Sequence, residues 1–277
     1  MPIFLQNWLE SSRPNYCLMF IHAWIPFNAW FRDEFYDANA RNGDRELIDR
    51  LKTQSNKIKN RIAALLLGQD EDALLFKSLL SKLNTELNAH AIHQNGRRVG
   101  LNTTCIADNA NNSMSISSRG YDYKCVYNSR APRGTNRVRC EVISRRTGVT
   151  KYLVEILEWS LQDFHANPDF QRIEEKHRVK LEECFMLINS KKPEEIVKSV
   201  TPNPNGTYTQ PRHSMTIDAG KGLFVVNDAD KVSKVIIQLL YNLRCAIFHG
   251  EVEPTSTNMG VYEPAFHILN ILNQELV

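Results

Sequence analysis

The chain has 277 residues, of which 42% are hydrophobic and 23% are charged. This length and composition allow a sizeable core and exclude a globally disordered chain. The net charge is only +3, so the charge of the whole chain identifies no partner. The apolar run at 16–31 contains His22 and Asn28 and is followed at once by Arg32-Asp33-Glu34. This pattern is typical of a buried helix rather than of a secretory or membrane-spanning segment. We therefore expect a cytoplasmic protein with no membrane association.

The first third of the chain is predicted to be helical. Apolar residues lie nearly all round the segment 16–36, which predicts a central, buried helix. Apolar residues at helical spacing predict one helix over 46–67 and a third over 71–91, with Asn95-Gly96 as the stop signal.

The middle of the chain has a different character. Residues 97–151 include eleven basic and three acidic residues, a net charge of +8 that leaves −5 for the remainder. Alternating segments at 121–127, 137–143 and 149–156 predict a small antiparallel sheet with basic residues on its outward positions. Such a basic segment favours a polyanionic partner, and nucleic acid is the commonest one. The alternative is a solvated, loop-rich surface without a partner.

Helices resume after the predicted sheet. We predict helices at 157–165 and 170–189, a loop at 202–211 and a hairpin with strands at 214–218 and 223–226. A long helix then begins after Asn227 or Asp228, which are suited to cap it, and ends before Gly250, a natural C-terminal cap. A last helix is predicted at 262–275.

The six cysteines are scattered, and no Cys-x-x-Cys pair is present. A zinc ribbon is therefore not expected, and the pattern favours buried or free thiols in a reducing compartment. We expect neither a metal nor a cofactor. The cysteines are Cys17, Cys105, Cys125, Cys140, Cys184 and Cys245.

The most informative stretch lies at the end of the long helix. Arg244 is followed by four residues and then by His249, with Phe248 and Gly250 on either side of the histidine. This pattern resembles the signature of HEPN domains, a helical family named for nucleotide binding in eukaryotes and prokaryotes. Cys245 departs from the polar residue that is common after the arginine in that family. The segment 20–31, which contains Trp-Ile-Pro-Phe-Asn-Ala, is similar to the first helix of the family.

The resemblance implies a mainly α fold, an HEPN-like helical bundle into which the small antiparallel sheet is inserted, so that the fold is α+β overall. We expect N-terminal bundle helices at 1–96, a basic β-rich insertion at 97–156, and C-terminal bundle helices with the Arg-x4-His motif at 157–277. The resemblance covers about half of the chain and says nothing about the insertion.

The resemblance also implies a function. HEPN ribonucleases act as homodimers without a metal and often serve in toxin–antitoxin or anti-phage systems, which suggests an antitoxin or another regulatory protein as a partner. Arg244 would stabilise the charge on the reacting phosphate, and His249 would accept the proton of a 2′-hydroxyl. Asn28 and Cys245 are candidate supporting residues. Five residues along a helix turn the direction by about 140°, so one helix does not aim both side chains at one phosphate unless His249 lies at its frayed end.

Alternatives remain at this point. Arg244 could form a helix-end ion pair with Glu251 or Glu253, and His249 could be a cation favoured by the helix C-terminus. A catalytically silent HEPN module that binds RNA or a protein partner is a second hypothesis, and a DNA-binding regulator is a third. For Asn28 a core hydrogen bond is as plausible as a role in bracing Arg244.

The insertion supplies four further candidates. Arg137 and Arg139 flank the alternation of one predicted strand, and Arg145 and Arg146 lie at its turn. We expect all four to be exposed and to contact RNA phosphates, with nearby tyrosines available for stacking. The tyrosines could equally pack the sheet on the helices.

Overall fold

A computed structural model describes residues 4, 14–94, 97–106, 112–128, 131–132, 134–157, 159–188 and 193–276. The chain forms two compact units. The helical unit comprises Met1–Ile106 and Pro193–Val277, and the inserted unit comprises Ala107–Lys192. Helices and small antiparallel sheets are both present, so the fold is mixed α+β, as predicted. None of the described helices has both the length and the apolarity needed to cross a bilayer.

Four helices lie in the described part of the N-terminal half of the helical unit. They are α1 (Tyr16–Glu34), α2 (Asp44–Thr53), α3 (Lys57–Leu67) and α4 (Glu71–Ala89). The side chains of Phe20, Phe27 and Phe31 on α1 are fully buried, so the prediction of a central first helix is confirmed. The expected stop signal Asn95-Gly96 lies outside the described residues, and α4 ends at His90 instead.

The single helix predicted at 46–67 is wrong, because the chain breaks between α2 and α3. Asn56 has extended backbone angles, and its side-chain oxygen accepts a hydrogen bond from the Lys59 backbone N–H at the start of α3. Its amide nitrogen donates to the Leu51 carbonyl at the end of α2. One side chain therefore satisfies backbone groups of both helices, which stabilises the break.

The C-terminal part completes the helical unit. Two short strands, β1 (His93–Gln94) and β2 (Arg97–Arg98), pair with each other. In a second sheet the order is β7 (Val197–Lys198), β9 (Leu223–Val226) and β8 (Ser214–Asp218), so the predicted hairpin is confirmed. The two helices that follow the inserted unit are α8 (Ala229–Phe248) and α9 (Ser256–Asn273). Helix α9 packs against α1 and α4.

The inserted unit contains a four-stranded antiparallel sheet in the order β3 (Ser113–Ser118), β4 (Tyr121–Tyr127), β5 (Val138–Ser144) and β6 (Thr150–Ile156). The last three strands were predicted, and β3 was missed because its only apolar residues are Met114 and Ile116, which alternate with serines and give a weak signal. Helices α5 (Leu161–Ala166), α6 (Pro168–Gln171) and α7 (Glu175–Leu187) pack on one face of this sheet.

These three helices correct the expected domain boundaries. The segment from 157 was assigned to the C-terminal helical bundle, but Phe164, Leu181 and Phe185 are buried in one core with strand residues Val142 and Val154. Residues 97–106, expected in the insertion, belong to the helical unit. The physical reason is that the sheet has an apolar face, which must be covered, and the next helices along the chain cover it.

No disulfide links the six cysteines, all of which lie in the described residues: five are buried and Cys105 is half-buried. Cys125 and Cys140 face each other across β4 and β5, and Cys184 of α7 packs beside them. Burial raises the pKa of the Cys125 thiol, which keeps it protonated. These three thiols therefore act as small apolar core residues.

Candidate active site

Helix α8 presents the Arg-x4-His motif on its last two turns. The Asp228 side chain caps its N-terminus by accepting a hydrogen bond from the Lys231 backbone N–H. At the other end, Gly250 has a φ of +68°, its N–H donates to the Ile247 carbonyl, and the Glu251 N–H donates to the Ala246 carbonyl. This is a Schellman motif. The predicted caps, Asp228 and Gly250, are thus confirmed. Arg244 lies in the last turns of the helix, and His249 is its C-cap residue.

Arg244 is largely buried and held on several sides. Its side chain is 18% exposed, and its Nη2 lies 3.1 Å from the Asp44 Oδ2. Its guanidinium carbon lies 4.1 Å above the centre of the Phe248 ring, one helical turn further on, which is a cation–π distance. Its Nη1 lies 3.9 Å from the Cys245 sulfur. The guanidinium therefore has a fixed orientation rather than a choice of rotamers.

Asp44 is the site residue that the sequence did not identify. It is the first residue of α2, and it contacts two arginines, Arg244 and Arg32 of α1. We call Arg32, Asp44, Arg244 and Phe248 the Arg244 cluster. One alternative from the sequence was an ion pair of Arg244 with Glu251 or Glu253, but Arg244 pairs with Asp44. The cluster has two positive charges and one negative charge, so it keeps a net positive charge beside the end of α8.

A buried lysine fixes the helix that positions Asp44. The Lys52 side chain is 3% exposed, and its ammonium lies 2.7 Å from the Asp49 carboxylate. It also donates to the Gln238 side chain of α8 at 2.5 Å and to the Ile106 carbonyl at 2.9 Å. All three ammonium donors thus have acceptors, as burial of a charge requires. Because Lys52 binds α8 near one end of α2, and Asp44 binds it at the other, α2 cannot shift along α8 without breaking both.

His249 is exposed and is the C-cap residue of α8. Its backbone N–H donates to the Cys245 carbonyl at 2.9 Å. Within the described part of the chain, its imidazole has neither a hydrogen bond nor an ion pair. The structure thus brings Arg244, Cys245 and Phe248 together with Asp44, but within one chain it does not bring the His249 ring into contact with Arg244.

Cys245 is buried between Arg244 and the neighbouring Tyr241. Burial, followed by the interaction with Cys245, raises the pKa of Tyr241, so this hydroxyl stays protonated at neutral pH. The Tyr241 ring in turn lies 6.3 Å from that of Trp24 on α1. Cys245 therefore supports Arg244 by packing and by a weak sulfur contact, not by the stronger hydrogen bond that a polar residue would make.

Asn28 lies on α1 one turn after Trp24 and one turn before Arg32, and thus between two residues that reach the Arg244 cluster or its neighbours. Its side-chain oxygen is buried and has no hydrogen-bond partner among the described residues. The same is true of the Arg244 Nε. Neither of the two roles expected for Asn28, a core hydrogen bond or a hydrogen bond to Arg244, is made by its oxygen in this arrangement.

The four arginines expected to bind RNA do not form one surface. Arg137 is half-buried, and its guanidinium donates to the Ala131 carbonyl. Arg139 is exposed but paired with Glu141 at 2.9 Å and with Glu155 at 3.4 Å. Arg145 and Arg146 lie in the exposed β5–β6 turn. The expectation that all four would be exposed is therefore wrong for Arg137, and the charge of Arg139 is largely neutralised.

The comparisons with known proteins give no further assignment. The chain matches no protein-family model, no curated protein and no solved structure. In the part of the chain that the structure describes, no three His, Cys, Asp or Glu side chains come together in the way that a metal ion requires.

Proposed function

We propose that this protein is a metal-independent endoribonuclease of the HEPN type that cleaves single-stranded or looped RNA as a homodimer. One observation carries the proposal. The helix with the Arg-x4-His motif ends in a Schellman turn directly after His249, which leaves the imidazole exposed while Asp44 and Phe248 hold Arg244 in one orientation. A fixed guanidinium and an accessible imidazole are the two groups that this chemistry needs.

The reaction follows from these two side chains. The neutral imidazole of His249 accepts the proton of a ribose 2′-hydroxyl, and the resulting oxyanion attacks the adjacent phosphorus. The bond from phosphorus to the 5′ oxygen breaks, and that oxygen takes up a proton. The products are a 2′,3′-cyclic phosphate and a 5′-hydroxyl. Arg244 stabilises the negative charge that develops on the phosphate oxygens.

A dimer supplies both groups to one phosphate. The approximately 140° between positions 244 and 249 directs the two side chains of one helix apart. Two copies of the α8 end that face each other across a two-fold axis place the arginine of one chain near the histidine of the other. Phe248, which lies between the two positions and is 54% exposed, provides apolar surface for such a contact.

The test combines cleavage with matched variants. Labelled RNA incubated in excess EDTA is expected to be cut by the parent protein, with cyclic-phosphate ends, and not by Arg244→Ala or His249→Ala. The controls are Arg172→Ala and His165→Ala, which remove an exposed arginine and an exposed histidine of the inserted unit. Full cleavage by a correctly folded Arg244→Ala or His249→Ala variant, or an absolute need for a divalent metal, would contradict the proposal.

Mixing the two inactive variants tests the dimer. If the arginine and the histidine come from different chains, a mixture of Arg244→Ala and His249→Ala proteins regains part of the activity, because mixed dimers contain one intact pair. A parent protein that is monomeric by light scattering and still fully active at high dilution would rule out the composite cleft.

A second candidate is a catalytically silent HEPN module that binds RNA or a protein partner. The observation that favours it is that Arg244 is already engaged by Asp44, which competes with a phosphate for the same donors. This candidate predicts RNA binding without cleavage by the parent protein.

For the ribonuclease, a toxin–antitoxin or anti-phage setting in the cytoplasm, with an antitoxin or other regulatory protein as partner, is proposed from the resemblance alone.

A further inference from the structure

The charge of the inserted unit is less uniform than that of the segment 97–151. The unit as a whole has fifteen basic and eleven acidic residues, a net +4, because its helices add acidic residues. The uncovered face of the sheet is mixed. There, Lys124 and Arg139 are balanced by Asp122, Glu141 and Glu155. The excess positive charge is therefore located elsewhere in the unit.

Part of this charge lies in two adjoining turns at one end of the sheet. Arg119-Gly120 joins β3 to β4, and the β5–β6 turn begins with Arg145 and Arg146. The Arg145 backbone N–H donates to the Gly120 carbonyl at 2.9 Å, so the two turns are in direct contact. Lys151 follows on β6, and all four basic side chains are exposed. We call this set, with Lys176, the cationic end.

Lys176 reaches the same place from the first turn of α7. It pairs with Glu174 at 2.6 Å, and Lys151 pairs with the same carboxylate at 2.7 Å. Together the two lysines and the Tyr152 hydroxyl hold the pKa of Glu174 at about 2, well below its usual range. One carboxylate therefore serves two cations. Arg145 approaches Asp122 only at 3.8 Å. Arg119 and Arg146 have no ion-pair partner within the described residues.

Aromatic rings lie among these cations. The Lys151 ammonium lies 5.1 Å from the centre of the Tyr152 ring and 5.7 Å from that of Tyr121, and both rings are half-buried. The Tyr121 ring packs against His177, which is 1% exposed and whose Nε2 has no hydrogen-bond partner among the described residues. The aromatic rings are thus packed against one another, and cationic side chains lie around them.

Arg119 occupies a hairpin-turn position with a backbone conformation that is unusual for arginine. It has a φ of +49°, and Gly120 has a φ of +80°, which is the type I′ arrangement of a two-residue hairpin turn. Asparagine, aspartate and glycine are preferred at such positions. Arginine there puts a guanidinium at the tip of the sheet at some cost in backbone strain.

We propose that the cationic end is a docking surface for the phosphate backbone of single-stranded RNA. Unpaired guanidinium groups recognise successive phosphates, and cationic side chains around partly exposed aromatic rings are the arrangement by which proteins hold single strands without reading their sequence. The inference rests on the proposed function for its choice of RNA as ligand. In place of the half-buried Arg137 and of Arg139, which two carboxylates neutralise, it uses Arg119 together with Lys151 and Lys176, which share a single carboxylate.

The experiment compares two variants with the same loss of charge. In a His249→Ala background, which leaves RNA uncut, Arg145→Gln/Arg146→Gln is compared with Lys124→Gln/Arg139→Gln on the uncovered face of the sheet. Binding of a labelled single-stranded RNA of about 12 nucleotides is followed by fluorescence anisotropy. Each lost phosphate contact reduces the salt slope by about 0.7, so the first variant is expected to bind about 25-fold more weakly at about 0.1 M salt. The control pair is expected to change little.

Arg119→Asn separates binding from folding. Asparagine suits the turn better than arginine does, so this variant is expected to melt at the same or a higher temperature, yet to bind RNA about fivefold more weakly. Equal binding by all variants, or no RNA binding by the background protein, would overturn the proposal. Displacement of RNA by polyglutamate at equal charge would overturn it in favour of an acidic protein partner.

The two proposals fail separately. If the parent protein cleaves RNA but the double variants bind it equally well, the docking surface is wrong and the ribonuclease stands. If the Arg145→Gln/Arg146→Gln variant loses binding while the parent never cleaves in EDTA, the surface stands and the ribonuclease is wrong.

Discussion

Asp44→Asn tests whether the geometry of the Arg244 cluster matters for function. The substitution keeps the shape of the side chain but removes the charge between Arg32 and Arg244. Hydrogen bonds to charged groups contribute roughly 1 kcal/mol more than neutral ones, and this applies in full to Arg244, which is 18% exposed. Loss of a carboxylate from the first turn of α2 adds about 0.5 kcal/mol through the helix dipole. Arg32 is 48% exposed and adds only a few tenths. The expected loss of folding free energy is therefore about 2 kcal/mol.

The activity is expected to fall because Arg244 loses its fixed orientation. If about 1.4 kcal/mol of that restraint acts on the transition state, kcat falls about tenfold while KM changes little. Arg244→Ala, which removes the donor itself, is expected to lower kcat by about a hundredfold or more. Both are measured on a fluorogenic RNA, at a temperature at which denaturation curves show each variant fully folded. Asp44→Glu, which keeps the charge, is expected to retain more activity than Asp44→Asn.

Asp72→Asn is the matched control. Asp72 also lies in the first turn of a helix of the same unit and pairs with one arginine, Arg61, at 2.6 Å. Its substitution is expected to cost about 1 kcal/mol of stability and no activity. If Asp44→Asn cleaves RNA as fast as the parent while Arg244→Ala is inactive, the contact between Asp44 and Arg244 does not matter for function. If Asp72→Asn lowers kcat as much as Asp44→Asn does, the effect is not specific to the Arg244 cluster.

Three further predictions concern stability. Burial, and secondly the charge of Lys151, lowers the pKa of His177, so the unfolded chain binds a proton at this residue more readily than the folded chain does. The inserted unit is therefore expected to lose stability as pH falls below about 6.5. Hydrogen exchange of α7 between pH 7.5 and pH 5.5 measures this loss, and the double variant His177→Phe/Tyr123→Phe should show no such dependence. The pKa of Glu174 is held at about 2, so its contribution to folding stability is fully present above the unfolded pKa of about 4.3 and is lost as pH falls toward 2. Glu174→Gln should therefore flatten acid denaturation curves in that range. The Tyr262 hydroxyl, fully buried, donates to the Leu243 carbonyl at 3.0 Å, so Tyr262→Phe should cost about 1 kcal/mol in chemical denaturation, and an unchanged midpoint would show that this hydrogen bond contributes nothing net.

The sequence predicted elements whose signal is local. Helix α8 was predicted from an apolar stripe that begins after Asp228 and ends before Gly250. Strand β4 was predicted from the alternation of apolar and polar residues between turn residues. The break at Asn56 was missed because a polar residue inside an apolar stripe is ordinarily an exposed helical position. Only the geometry shows that its side chain bonds with the backbone of two helices. A Ser-Asn pair before a good helix former was the available signal.

Residues that depend on long-range packing could not be predicted. Nothing near Asp44 in the sequence indicates that it meets Arg244, because that contact depends on how α2 lies along α8. The pairing of Arg139 was partly readable, since Glu141 two residues on shares its face of the strand. Its second partner, Glu155, required the register of β5 and β6. The charge count over 97–151 was correct, but it could not show which arginines pair with acidic residues.

The helical unit is built from segments on both sides of the inserted unit, which has a consequence for synthesis. Helix α9 packs on α1, where the Asn273 amide donates to the Ala23 carbonyl. Asp44 forms its ion pair with Arg244, which lies 200 residues later in the chain. The inserted unit, by contrast, pairs its strands through local hairpins, and contacts between residues close in sequence form early. During translation the inserted unit can therefore fold while the N-terminal helices still lack their partners. A chain that stops before α8 contains Arg32 and Asp44 but no Arg244, so the cluster is completed only after α8 has been synthesised.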